Sequence, residues 1–165
     1  MITIVHITAR NIFFTLIRFV RCKFKVKLLS MTSQITYEGN LRTVATHLQS
    51  GTVIETDAPT DNQGKGERFS PTDLVATALG NCMLTTMGIK ARDLQVDLDG
   101  TKIGISKIMI ANPRRIGEIK VLINFPENVK ADEKQRTILE RAALTCPVFE
   151  SLHPDMKKDV EFKWS

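Results

Sequence analysis

Cys82 and Cys146 are the residues whose chemistry decides what this chain can do. Cys82 ends the run Ser70-Pro71-Thr72-Asp73-Leu74-Val75-Ala76-Thr77-Ala78-Leu79-Gly80-Asn81-Cys82, which opens like a capped helix and closes on a sulfur in its apolar interior. Cys146 directly precedes Pro147, a residue that cannot continue one helix but suits the first position of the next. At such an N-cap, the helix dipole and unpaired amides favour thiolate over thiol, which is a physical route to a reactive sulfur. The competing reading is that both cysteines are small hydrophobes filling space, the common fate of a buried free thiol. A zinc site built from Cys82, Cys146, His47 and His153 lacks any ligand spacing in the sequence.

The helix that must position Cys82 is marked at its start. Ser70 is a suitable N-cap, Pro71 takes the first helical position, and Asp73 completes a capping-box pattern with its charge at the positive end. The helix is predicted to run to about Arg92, with Leu74, Val75, Ala78, Leu79, Cys82, Met83, Thr86 and Ile89 near a 3.6-residue period, so Cys82 faces inward. Ala76, Ala78 and Gly80 are small enough to admit a second backbone, and the same helix of another subunit is the expected neighbour. Short strands are predicted over residues 34–37, 41–48 and 52–56, followed by a loop over 57–69 in which Asp57 and Asp61 read as turn formers. Gly64-Lys65-Gly66 lacks the spacing of a phosphate-binding loop. Strands over 95–98, 103–111 and 116–125, a helix over 131–144 and a strand over 160–164 complete an α+β order with antiparallel strands.

Charge excludes some function classes. The formal net charge is +5, yet residues 1–30 hold six of the 23 Lys and Arg and no acid, which leaves residues 31–165 with 17 basic against 18 acidic side chains. The basicity belongs to the leader, and nucleic-acid binding by the remainder is not supported. No uncharged stretch of residues 1–30 approaches the roughly 20 residues of a membrane span. Residues 1–30 read as a basic amphipathic surface segment, a targeting peptide or a non-native N-terminal extension from an upstream start, of which we favour the last, with residues 31–165 as the domain; the alternating 23–27 segment could add an edge strand. Cys22 is an incidental thiol there. Three cysteines make no disulfide framework, so a reducing, cytoplasmic setting is expected, with any disulfide transient.

These residues together resemble a known family. Ser70-Pro71-Thr72-Asp73-Leu74 through Leu79-Gly80-Asn81-Cys82, then Cys146-Pro147-Val148, with Ile108-Met109 and Pro113-Arg114-Arg115-Ile116 between them, are similar to the OsmC/Ohr pattern over about residues 34–164. The resemblance implies an α+β fold of antiparallel sheets around long central helices, an intertwined homodimer, and a thiol peroxidase that reduces organic hydroperoxides without metal or flavin. It implies Cys82 as the peroxidatic sulfur, Cys146 as the resolving one, and an external dithiol, of low molecular weight or lipoyl type, as reductant. It further implies an arginine from the N-terminal strands, for which Arg42 is the candidate, and a glutamate just inside the helix. Thr72 stands at that glutamate position, Asp73 is committed to the cap, and Glu67 can supply the carboxylate if its loop folds back. Without these groups working as in the better-known members, the same fold would serve as a redox-sensing or small-ligand-binding module.

Overall fold

The computed structural model describes residues 31–165. The readings of residues 1–30 as an extension, of Cys22, and of a strand over 23–27 lie outside the described residues. The chain divides into two compact units, one ending at Arg68 and the other spanning Phe69–Ser165.

The first unit is built on strand propensity and two tight turns. Strands β1 (Ser33–Gly39), β2 (Arg42–His47) and β3 (Val53–Asp57) form an antiparallel sheet in that order. Gly39, Asn40 and Leu41 all take left-handed φ values, +84°, +49° and +63°, to turn the chain between β1 and β2. Glycine and asparagine enter this region readily; Leu41 does so with its amide donating to the Tyr37 hydroxyl at 3.2 Å. The second turn is closed by His47 N–H donating to the Thr52 carbonyl at 2.8 Å. The resulting register sets Arg42 opposite Asp57 and Ala45 between Ile35 and Ile54. A 3-10 turn at Thr60–Asn62 lies in the following loop.

In the second unit, α1 (Pro71–Leu94) is capped as its sequence demands. The Ser70 amide donates to Asp73 Oδ2 at 2.8 Å and the Asp73 amide donates to Ser70 Oγ at 3.1 Å. The helix ends with Gln95 in the left-handed region and the Val96 amide donating back to the Ala91 carbonyl at 2.9 Å. Residues 95–98 are therefore a helix terminus and a connection, not the strand their composition suggested, because the αL cap consumes the first of them. Ala76, Leu79, Gly80, Met83, Met87 and Ala91 form its buried face.

Strands β4 (Lys102–Ala111), β5 (Arg114–Asn124) and β6 (Lys157–Lys163) form the second sheet. The β4–β5 pair is antiparallel, but β6 runs parallel to β5, a pairing that no local pattern announces. A bulge at Gly117 lets Ile116 and Ile119, three positions apart, both be buried, since one extra residue resets the two-residue alternation. Helix α2 (Glu133–Leu144) starts at a second capping box, Asp132 with Gln135, and the short α3 (Pro147–Ser151) follows with Cys146 as N-cap. Leu79, Met83, Ile119, Val121, Ile123, Phe125, Leu139 and Cys146 lie in one core. A Cβ on Gly80 would come within 2.9 Å of Ile105 Cδ1 and 3.2 Å of Ile103 Cγ2. Gly80 of this small-residue face is met by β4 of the same chain.

Candidate functional site

Helix α1 carries Cys82 on its fourth turn, half-buried, and the turn between α2 and α3 places Cys146 in the core, fully buried at 0% exposure. Both are free thiols, and Cys82 packs against the buried core that contains Cys146. Each backbone is fixed independently: the Cys146 amide donates to the Ala143 carbonyl at 3.2 Å, and the Thr86 hydroxyl donates to the Cys82 carbonyl at 2.8 Å.

The electrostatics of Cys146 differ from the expectation for an N-cap thiol. Burial pushes its pKa up; the Phe149 amide and, more weakly, the Val148 amide pull it down; and neighbouring Cys82 adds to the rise. The net direction is upward. The amides are where the N-cap argument puts them, but no cap hydrogen bond to the sulfur is formed, and removal from water outweighs their attraction. Cys146 is a thiol at neutral pH, shielded from solvent, while Cys82 is the sulfur that solvent reaches.

A second polar group assembles within the first unit. Arg42 Nε donates to Asp57 Oδ1 at 2.7 Å, and Arg42 Nη2 donates to Asp57 Oδ2 and to Glu67 Oε2, both at 2.8 Å. Asp57 is 3% exposed, and its carboxyl is held below the usual range first by the Arg42 hydrogen bonds, against the opposing effect of desolvation. Arg42 is correspondingly raised, chiefly by Asp57 and then by Glu67. The loop does fold back to bring Glu67 to the arginine. It is secured further by Arg68 Nε donating to Glu55 Oε2 at 2.7 Å. Asp57 is not a loop former: it ends β3 as the cross-strand partner of Arg42.

Lys107 was also missed. It lies in phase with Ile103, Ile105 and Met109 on the inward face of β4, and its Nζ donates to Thr72 Oγ1 at 2.8 Å and Ser70 Oγ at 3.3 Å and pairs with Asp73 Oδ1 at 2.7 Å. Burial pushes the Asp73 carboxyl up, but Lys107 and Ser70 together hold it below the usual range. Thr72, at the position where the resemblance led to a glutamate, is therefore a ligand of this ammonium. A lysine in register with inward-facing apolar residues is the signal that marks such a position in a sequence.

The OsmC-like protein family matches residues 64–161, which include both cysteines. The chain belongs to the OsmC-like family. An osmotic stress induced and detoxification response protein of Psychrobacter arcticus, described as putative in both roles, shares 53% identity, with 80% of this chain and 95% of that one covered at a TM-score of 0.76. An organic hydroperoxide resistance protein of Legionella pneumophila (13% identity, 82% and 98% covered, TM-score 0.63) and OhrB of Bacillus subtilis, also an organic hydroperoxide resistance protein (18%, 81% and 98%, 0.54), share the OsmC-like fold. A search of curated proteins finds no match to the sequence.

Within this OsmC-like chain the structure groups Cys82 with Cys146, and Arg42 with Glu67. His47 instead closes a turn, its Nδ1 at 2.7 Å from Ser50 Oγ, and His153 Nδ1 accepts from the Asp155 amide at 3.2 Å. Among the described residues, no group of His, Cys, Asp and Glu is arranged to hold a metal ion, and no helix is long and apolar enough to cross a membrane.

Proposed function

We propose that this OsmC-like chain is a thiol-dependent peroxidase that reduces organic hydroperoxides in defence against oxidative stress. The observation that carries the reading is the pairing of a solvent-reached Cys82 with a buried, protonated Cys146. In the proposed cycle, the Cys82 thiolate attacks the terminal peroxide oxygen, the O–O bond breaks, and the alkoxide takes a proton to leave as alcohol. Cys82 is then a sulfenic acid. The Cys146 sulfur attacks it, water departs, and a disulfide remains. An external dithiol of low molecular weight or lipoyl type returns both thiols and is itself oxidised to a disulfide. Arg42 supplies the cation and Glu67 the carboxylate of the reaction. The two thiols give up two electrons to the peroxide and regain them from the dithiol, so the cycle calls on no metal or flavin.

The Psychrobacter relative's description and the hydroperoxide-resistance names of more distant proteins with this fold support the reading. We further propose a cytoplasmic homodimer, without nucleic-acid or membrane partners. Exposed Ile35 and Ile54, set across Ala45 on the first sheet, support self-association, and the near-neutral charge balance of residues 31–165 supports the absence of phosphate-rich partners.

One observation favours the second reading, a redox-sensing or small-ligand-binding module. Arg42 is already occupied by two carboxylates, which weakens any help it gives a thiolate. Multiple turnovers of cumene hydroperoxide with dihydrolipoamide, abolished by Cys82→Ser, are expected for the peroxidase. A single stoichiometric oxidation, or turnover indifferent to Cys82→Ser, rejects it.

A further inference from the structure

We infer that Trp164 and Lys158 are positioning residues for Cys146, the two ends of a strap that β6 lays across the helices on either side of this sulfur and that keeps solvent and thiol reagents away from it. All of these groups lie within residues 69–165, and the role holds whatever chemistry Cys146 then performs. Cys146 moves only with its neighbours. Its amide donates to the Ala143 carbonyl of α2 and its carbonyl accepts from the Glu150 amide of α3, both at 3.2 Å. The sulfur is thereby fixed to both helices, and a shift of either one displaces it. Its full burial needs both to be held down.

Strand β6 does the holding. Lys158, Val160 and Phe162 alternate with exposed residues and share its half-buried face, and Trp164 continues the same alternation just past the end of the strand. At one end the Trp164 ring stacks on buried Phe125, with centroids 3.5 Å apart. Two residues of α2 grip the same ring: the Arg136 guanidinium lies over it, 5.1 Å from the centroid, and Glu140 Oε1 accepts from Trp164 Nε1 at 2.8 Å. Main-chain bonds fix the strand there, since the Phe125 amide donates to the Lys163 carbonyl at 2.9 Å and the Ser165 hydroxyl donates to the Phe125 carbonyl at 2.7 Å. At the other end, Lys158 Nζ lies 4.8 Å from the ring centroid of Phe149 in α3.

The two ends differ in strength. The Trp164 end combines an aromatic stack, a cation over the ring and a hydrogen bond to a carboxylate, whereas the Lys158 end is one cation–π contact. If these contacts act on Cys146 through α2 and α3, removing them opens the helices locally and exposes this sulfur while the rest of the core stays closed. If they only add to overall stability, Cys146 is reached through global unfolding alone, and any variant of equal stability behaves the same.

The test is site-resolved alkylation of the reduced full chain by iodoacetamide at fixed pH, read by mass spectrometry as initial rates at Cys146 and Cys82. Trp164→Ala is expected to speed alkylation of Cys146 at least about tenfold and Lys158→Gln roughly twofold to fivefold, with Cys82 unchanged in both. Trp164→Phe, which keeps a ring over Phe125 and loses the bond to Glu140, should fall between wild type and Trp164→Ala. The reference is Ile105→Ala on β4, compared at urea concentrations that equalise global stability; Cys146 should there react at least about tenfold more slowly than in Trp164→Ala. Amide exchange over residues 133–151 should quicken in Trp164→Ala with β4 amides unchanged. A wild-type rate at Cys146 in Trp164→Ala, equal rates in Trp164→Ala and Ile105→Ala, or a parallel rise at Cys82 overturns the inference. If Trp164→Ala fails to fold, Trp164→Phe and Lys158→Gln decide, and wild-type rates at Cys146 in both overturn it. No peroxide enters this measurement: absence of hydroperoxide turnover, with the Cys146 effect intact, rejects the peroxidase reading and leaves the strap standing.

Discussion

Burial orders the two sulfurs in the proposed cycle. Cys82 is reached by solvent and Cys146 is removed from water, so the proposal has Cys82 meet the oxidant first and Cys146 act on what Cys82 has become. Cys146→Ser is therefore expected to consume one equivalent of cumene hydroperoxide at near wild-type speed and then stop, with a sulfenic acid that dimedone traps at Cys82. Rapid turnover in that variant would remove Cys146 from the cycle. The raised Cys146 pKa also makes a stability prediction. Above the unfolded thiol value of about 8.5, the unfolded chain loses this proton while the folded one keeps it, so stability falls as pH rises toward the folded value. Urea melts at rising alkaline pH should show this slope in wild type and lose it in Cys146→Ala. Asp57 is the converse case: its lowered pKa adds stability above the unfolded carboxylate value that is lost as pH falls through the folded one, and Asp57→Asn should flatten that acid limb. Both cysteines and Arg42 can be picked out by residue type and neighbours. Asp57 is hidden by the turn-forming habit of aspartate, although continuing the hairpin register outward from His47 and Thr52 leads to it.

Helix α1 is specified by nearby residues, which is why its start can be read from sequence. Ser70→Ala removes the oxygen that receives the Asp73 amide and also touches Lys107, and should cost about 1 kcal/mol in urea denaturation. Leu79→Ala, at 0% exposure, should cost about 2–5 kcal/mol by leaving a cavity. A loss below 1 kcal/mol for Leu79→Ala would mean that the helix does not pack on β4 and β5 as described. The features that escape a sequence reading depend on distant partners or on single backbone angles. The parallel seat of β6 is set by the chain's return after α3, and the Gly117 bulge is set by the need to bury Ile116 and Ile119 together. Residues 95–98 looked like a strand because Val96 and Leu98 alternate with polar neighbours, yet the left-handed turn at Gln95 decided the outcome.

At the scale of the molecule, the first sheet keeps an apolar row open to solvent. Ile35 and Ile54 flank Ala45 and are 65% and 47% exposed. If this face supports the proposed homodimer, Ile35→Glu with Ile54→Glu should shift the chain toward monomer in sedimentation velocity at micromolar concentration, whereas an unchanged distribution would exclude the face. The second unit is closed by its last residues: Trp164 stacks on Phe125 with ring centroids 3.5 Å apart, and its Nε1 donates to Glu140 Oε1 at 2.8 Å. The chain has one tryptophan and one tyrosine, and the latter, Tyr37, lies 63% exposed on β1. Nature has thereby installed a separate optical reporter in each unit. Red-edge fluorescence follows the melting of residues 69–165 through Trp164 alone, while tyrosine absorbance follows the first sheet, so one unlabelled sample can reveal whether the units unfold together or in turn.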